Sequence, residues 1–174
     1  MLKTEPFETH AEEYDKWFEK YPHVFQSEVA LIRDLLPFKN EDLKGIEVGM
    51  GTGRFAVALG IKEGIEPAAA LREIALSRNV VNVFDASAED LPYKDLQFDF
   101  VLMASCISYF HRLQPAFREA NRVLKSGGSF IVGFIEKDSI IGKHYETIRG
   151  KSIFYKDAIF YSVDKVVEEL KNAS

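Results

Sequence analysis

Apolar positions follow a helical period near the N-terminus and a strand-like pattern further on. Tyr14, Trp17, Phe18 and Tyr21 recur at helical spacing over residues 9–21, with Glu12, Glu13, Asp15, Lys16, Glu19 and Lys20 between them. That spacing predicts an amphipathic helix with an aromatic stripe. Val24, Phe25, Val29, Ile32, Leu35 and Leu36 predict a second helix over 24–36, stopped by Pro37. Beyond it the apolar residues gather into short unbroken runs. These predict strands at 43–48, 61–65, 80–84, 98–103 and 129–135. Helices are expected between them at 54–59, 68–78 and 115–124, and a last one at 163–170. Residues 136–161 show no clear period.

Near-continuous apolar strands alternating with helices predict an α/β fold, with a parallel sheet covered on both faces. In such sheets ligands bind beyond the carboxyl ends of the strands, where the strand order reverses. The segments that leave the strands should therefore meet at one crevice.

The 174 residues, 47% apolar and 28% charged, can bury a core and are not the composition of a disordered chain. A net charge of -5 offers no electrostatic footprint for nucleic acid, so no nucleic-acid partner is expected. Cys106 is the only cysteine and has no internal disulfide partner. Met1 to Pro6 lacks the apolar core of a signal peptide, and no apolar run is long enough to span a bilayer. A cytoplasmic protein is the expectation.

The run Gly45-Ile46-Glu47-Val48-Gly49-Met50-Gly51-Thr52-Gly53-Arg54-Phe55 narrows the chemistry. It reads as a strand carrying an acid, three glycines spaced G-x-G-x-G, then a helix. Glycines let backbone approach a ligand, and the helix start offers unpaired N–H groups. A nucleoside or an amino-acid carboxylate suits such a turn. The dinucleotide fingerprint G-x-G-x-x-G differs, since here the third glycine comes one residue early and the acid comes first. A nicotinamide-dependent oxidoreductase is therefore disfavoured, and no phosphate-cradling G-x-x-x-x-G-K-S/T occurs.

This turn resembles the first motif of class I methyltransferases that use S-adenosylmethionine. Four further segments strengthen the likeness. Gly64-Ile65-Glu66-Pro67 ends the second strand on an acid. Ala86-Ser87-Ala88-Glu89-Asp90-Leu91-Pro92-Tyr93 resembles the adenine-side loop G-D-A-x-x-L-P-F. Gln97-Phe98-Asp99-Phe100-Val101 resembles S-F-D-x-V, and Arg122-Val123-Leu124-Lys125-Ser126-Gly127-Gly128 resembles R-V-L-K-P-G-G. Order and spacing match over roughly residues 43–135. The chain is similar to the small methyltransferases of the ubiquinone/menaquinone-biosynthesis group, with the type 11 methyltransferase domain.

The resemblance implies one domain over 1–174. It comprises an N-terminal helical lid (1–40), a cofactor-binding core (41–135) and a variable C-terminal part (136–174). The implied fold is a Rossmann-like doubly wound sheet lacking the family's last two strands. The fifth strand would then be an unpaired edge, covered by residues 152–161, covered by another copy of the chain in a homo-oligomer, or left bare in a truncated form of impaired stability, with cover by the chain or a partner favoured.

The cofactor implied is S-adenosylmethionine, with S-adenosylhomocysteine as product, and the acceptor a small molecule. Gly49, Gly51 and Gly53, with Thr52 between, would form the turn under the methionine part, and Met50 would pack against the ligand. Glu47 would orient that turn or accept from the cofactor ammonium. Glu66, followed by Pro67, would hold the ribose hydroxyls. Ser87 stands where the family has Asp, and Ala88 would present its N–H to the adenine. Asp85 suits a structural role equally well. Ala104 and Ser105 would approach the methionine end. Tyr14 and Trp17 either face the sulfonium through cation–π attraction or simply pack on the core. Tyr109, Phe110 and His111 fall on the substrate side.

No general base stands out, and no Cys/His cluster suggests a metal. Transfer would be in-line displacement. Ser87 and the missing strands leave a second function open, a catalytically silent S-adenosylmethionine-binding or regulatory protein.

Overall fold

The five expected strands form one parallel sheet in a computed structural model that describes residues 4–36 and 43–173. The strands are β1 (Gly45–Val48), β2 (Glu63–Ile65), β3 (Asn82–Phe84), β4 (Phe98–Ala104) and β5 (Leu124–Gly133), in the order β3-β2-β1-β4-β5. Every neighbouring pair is parallel. The chain winds outward from β1 to β3, crosses back, and continues with β4 on the other side. The strand order thus reverses between β1 and β4, whose carboxyl ends flank the crevice described below.

Several boundaries differ from expectation, three of them for reasons visible in the structure. The helix after the glycines, α4 (Arg54–Leu59), closes on Gly60 in the left-handed region, and Ile61 N–H bonds to Ala56 O. Ile61 is thereby buried as part of the helix exit, and β2 starts only at Glu63. β5 begins at Leu124 because the chain passes from α6 (Leu113–Val123) straight into the sheet, with a register irregularity opposite Phe98 and Phe100. The N-terminal periodicity resolves into α1 (Glu5–Thr9), α2 (Ala11–Lys20) and α3 (Pro22–Leu35). Leu36 leaves α3 in an extended conformation, as expected of a residue before proline. Pro37 itself lies outside the described residues.

Side chains alternate across the sheet and supply two cores. Ile46, Val48, Val101 and Met103 pack with Phe117, Ala120 and Val123 of α6 and Val166 of α8 (Val163–Ala173). Phe100, Leu102 and Ile131 face the other way, into Phe55 and the helices that carry Phe18, Val29 and Ile32. Apolar residues on both faces account for the unbroken hydrophobic strands.

The stretch without a clear period holds α7 (Ile140–Ile148), whose Ser139 cap accepts from Gly142 N–H at 2.9 Å. Among the described residues no further strand pairs with β5. Residues 152–161 form no strand beside it. Two of their bonds run to the loop after β4, Ile159 N–H to Ser108 O (2.7 Å) and Tyr161 O–H to Phe110 O (2.7 Å), while Tyr161 O accepts from Lys137 N–H just beyond β5 (3.0 Å).

Candidate functional site

The glycine turn leaves β1 at the switch point. Gly49 N–H and Met50 N–H both donate to Ile65 O at 3.0 Å, tying the turn to the end of β2. Gly49 and Gly51 adopt φ of 70° and 58°, the left-handed region that side chains disfavour. A Cβ at Gly49 would stand 2.6 Å from the Cβ of Cys106, and one at Gly51 would touch the hydroxyl of Tyr14. The backbone therefore runs open along the crevice because these positions carry no side chain.

Glu66 forms the opposing wall. Its Oε2 accepts from Gly51 N–H (2.8 Å) and its Oε1 from Ala68 N–H (2.9 Å), so the carboxylate bridges the turn and the start of α5 (Ala69–Ser77). Burial raises its pKa, while the two N–H bonds pull it down. Each oxygen keeps a second lone pair, so the fixed carboxylate can still accept two hydroxyl protons. Arg72 steadies the same corner by donating to Glu66 O (2.7 Å) and Pro67 O (2.9 Å).

Gly49, Gly51, Ile65, Glu66 and Pro67 line a cavity of about 110 Å³ together with Tyr14, Ala88, Ala104 and Ser105. Ser105 ends β4 at φ 59°, a left-handed conformation in a non-glycine residue. The far side is aromatic. Phe7 stands at its centre, 5.5 Å from the Tyr14 ring and 5.0 Å from that of Tyr109, with Phe154 behind it at 5.6 Å. Phe110 and Tyr155 complete that wall.

Of the twelve residues expected at a cofactor, Tyr14, Gly49, Gly51, Glu66, Pro67, Ala88 and Ala104 line the cavity. The other five sit beside it. Met50 turns inward, with its methyl close to Gly64 and its side chain in the core with Phe18 and Phe55. It faces away from the space where a ligand contact was expected. Glu47 lies under the turn, 1% exposed, with Ala56 N–H of α4 bonded to its carboxyl. It acts there as a cap for a helix whose Gly53 cap has no side chain. Burial raises its pKa well above the usual range, against the effect of that bond. Thr52 donates its hydroxyl to Asp15 at 2.6 Å, and Gly53 packs on Ala75 and Val80. Ser87 donates to Glu89 at 2.8 Å. His111 is exposed and outside the cavity, and Asp85 forms an exposed pair with Arg72.

Phe7, Leu71, Cys106 and Tyr155 also line the cavity and carry no local motif. Phe7 precedes the recognised aromatic stripe, and Tyr155 falls in the stretch without a clear period.

Known proteins bear on the family of this fold. The family model for the methyltransferase domain matches residues 46–132, from β1 into β5. A crystal structure of an S-adenosylmethionine-dependent methyltransferase from Thermotoga maritima superposes with a TM-score of 0.91 at 40% identity, over 98% of this chain and 80% of that one. The chain belongs to the S-adenosylmethionine-dependent methyltransferases. A protein of Methanocaldococcus jannaschii is 42% identical to this methyltransferase over 165 residues, 95% of the chain and 78% of the relative. The ubiquinone/menaquinone biosynthesis C-methyltransferase of Rhizobium meliloti is 31% identical over 117 residues, 59% of the chain and 45% of that enzyme. The methyltransferase therefore spans most of the first relative and matches less than half of the second.

The phenols and the thiol of its cavity hold their protons. Burial pushes the phenols of Tyr14, Tyr109 and Tyr155 and the thiol of Cys106 upward, and nearby phenols and carboxyls push the same way. Cys106, partly buried at the cavity wall, donates to Val48 O at 3.1 Å as a thiol and not a thiolate. No lysine, arginine or histidine lines the cavity among the described residues. Those residues contain no cluster able to hold a metal, and no helix long and apolar enough to cross a membrane.

Proposed function

We propose that this methyltransferase holds S-adenosylmethionine between the glycine turn and Glu66, and that its acceptor is a small uncharged molecule admitted beside Tyr109 and Tyr155. The observation that carries this reading is the fixed carboxylate of Glu66. Two backbone N–H groups orient it across the turn, and free lone pairs remain for a ribose diol. The open backbone at Gly49 and Gly51 suits the cofactor's methionine part, and Ala88 N–H suits the adenine ring. Tyr14 presents an aromatic ring beside the turn, where a sulfonium would be favoured.

When bound, the cofactor supplies a methyl group already activated by its positive sulfur. The chain then has to align an acceptor for in-line displacement and keep water out. The enclosing aromatic wall supports both tasks. A wall without lysine, arginine or histidine offers no counter-charge to an anionic acceptor. With every phenol and the thiol holding its proton, the acceptor has to arrive with its own lone pair available.

A second reading is favoured by Ser87. Its hydroxyl is engaged by Glu89, and a hydroxyl accepts from the adenine amine more weakly than a carboxylate would. In that reading the chain binds the cofactor and performs no transfer. Labelled-methyl transfer to a panel of small metabolites distinguishes the two. Label in an uncharged amine, thiol or carbon acceptor supports transfer. A silent panel together with tight S-adenosylhomocysteine binding supports the binding protein, and label confined to anionic acceptors would remove the uncharged-acceptor reading.

A further inference from the structure

Asp15 follows Tyr14 on α2 and is 9% exposed, among the few buried charged side chains of the molecule. Its Oδ1 accepts from the Thr52 hydroxyl (2.6 Å) and from Arg54 Nε (3.0 Å). Its Oδ2 accepts from Arg54 Nη2 (2.6 Å) and Arg78 Nη2 (2.6 Å). Arg78 also donates to Thr52 O at 2.8 Å, so the pair grips Thr52 at both its hydroxyl and its carbonyl. The fork-shaped guanidiniums fix this geometry as well as its charge.

The grip falls on the part of the turn with least intrinsic order. Thr52 stands between Gly51 and Gly53, both left-handed. Glycines explore many conformations, so the turn needs outside anchors to preset its N–H groups for a ligand. Glu66 anchors Gly51, and Asp15 anchors the next residue. Arg54 opens α4, where a cation opposes the helix dipole, and the Asp15 carboxylate neutralises it. The neighbouring Tyr14 ring rests against Gly51. One turn of α2 therefore sets both the glycine turn and the aromatic ring above it.

We propose that Asp15 is a positioning residue for the cofactor, holding Thr52, Arg54 and, through its own helix, Tyr14 in the arrangement that binds S-adenosylmethionine. This rests on the reading that the glycine turn holds that cofactor. Asp15 touches no ligand in this role and acts through the turn.

Titration calorimetry with S-adenosylhomocysteine on wild type and Asp15→Asn tests it. The variant keeps the side chain's size and loses its charge. A tenfold or greater rise in Kd is expected, with the circular dichroism of the folded protein unchanged. Trp17, the only tryptophan and two residues along the same helix, gives a second readout. Acrylamide should quench it more readily in the liganded variant than in the liganded wild type. Asp99→Asn is the control for a merely structural pair. Asp99 holds Lys125 Nζ (2.8 Å) and Lys44 N–H (3.0 Å) at the opposite end of β4, so this variant should lose thermal stability without changing Kd. If Asp15→Asn does not fold, Arg78→Gln loosens the same grip and should raise Kd in the same direction. A folded Asp15→Asn, or Arg78→Gln in its place, that binds within twofold of wild type overturns the proposal. Wild type that fails to bind S-adenosylhomocysteine overturns the cofactor-site reading instead.

Discussion

The two ends of the crevice are built in opposite ways. The glycine-turn end comes from one stretch of chain between β1 and α5, and its ligand-facing groups are mostly backbone. Gly51 N–H and Ala68 N–H hold a single carboxylate, and Ile65 O holds the turn. The aromatic end comes from three separate stretches, with Phe7, Tyr109 and Tyr155 meeting only in the folded molecule. Its groups are side chains whose replacement leaves the backbone in place. In the proposed function the cofactor would thus meet geometry that tolerates little change, and the acceptor surfaces that can vary. Damage should accordingly be severe and general at the first end, mild and selective at the second.

Gly49→Ala should produce the largest effect. The added methyl meets Cys106 at 2.6 Å and stands on a left-handed backbone. Strain and overpacking together should cost about 2–4 kcal/mol in urea unfolding and remove S-adenosylhomocysteine binding. A variant with wild-type stability would show that the turn is more pliable than its geometry indicates. Glu66→Gln comes next. It exchanges a charged acceptor for a neutral one, so cofactor affinity should fall by a factor of about 10–100 in calorimetry, the effect of weakening hydrogen bonds to a charged group.

Acid unfolding tests the anchor behind the turn. Hydrogen bonds from Arg54, Thr52 and Arg78 outweigh burial and hold Asp15 at a pKa of about 2, against 3.8 unperturbed. Its folded pKa is lowered, so its contribution is complete above pH 4 and fades as the pH falls toward 2. That contribution is about 2 kcal/mol. Asp15→Asn should be the less stable protein at pH 6, and the gap should close by pH 2. A gap unchanged over that range would mean that charge is not what the anchor supplies.

The smallest effect on cofactor affinity should come from the aromatic end. Tyr155→Phe removes a neutral hydroxyl and keeps the ring, so S-adenosylhomocysteine should bind within threefold of wild type. Acceptor KM, or the rate of label transfer, should change by about 1 kcal/mol, the scale of one neutral hydrogen bond. Equal losses of cofactor and acceptor binding would break the distinction between the two ends.

Legibility in the sequence follows the same division. The strands, the G-x-G-x-G turn and Glu66 could be read because each follows from local rules. Apolar runs mark buried strands, left-handed turns select glycine, and an acid at a strand end stands where ligands bind. Met50 could not be read correctly, because which way a turn side chain points depends on the core beneath it, here Phe18 and Phe55. The bond from Ala56 N–H to Glu47 also depends on tertiary packing, which brings α4 to the acid of β1. Tyr155 and Phe7 reach the cavity from segments with no motif of their own.

Asp15 shows the limit plainly. By periodicity it is one of several charged residues between the aromatics of an amphipathic helix. Its partners Thr52, Arg54 and Arg78 lie far along the chain, and only the packing of α2 against the glycine turn brings them within bonding distance. The sequence by itself determined the parallel α/β order, the methyltransferase motifs and the open glycine turn, because short-range sterics and burial patterns specify these. Tertiary structure alone decided which side chains wall the aromatic end of the cavity and that a second carboxylate, Asp15, holds the turn beside Glu66, because both depend on contacts between elements that no local pattern encodes.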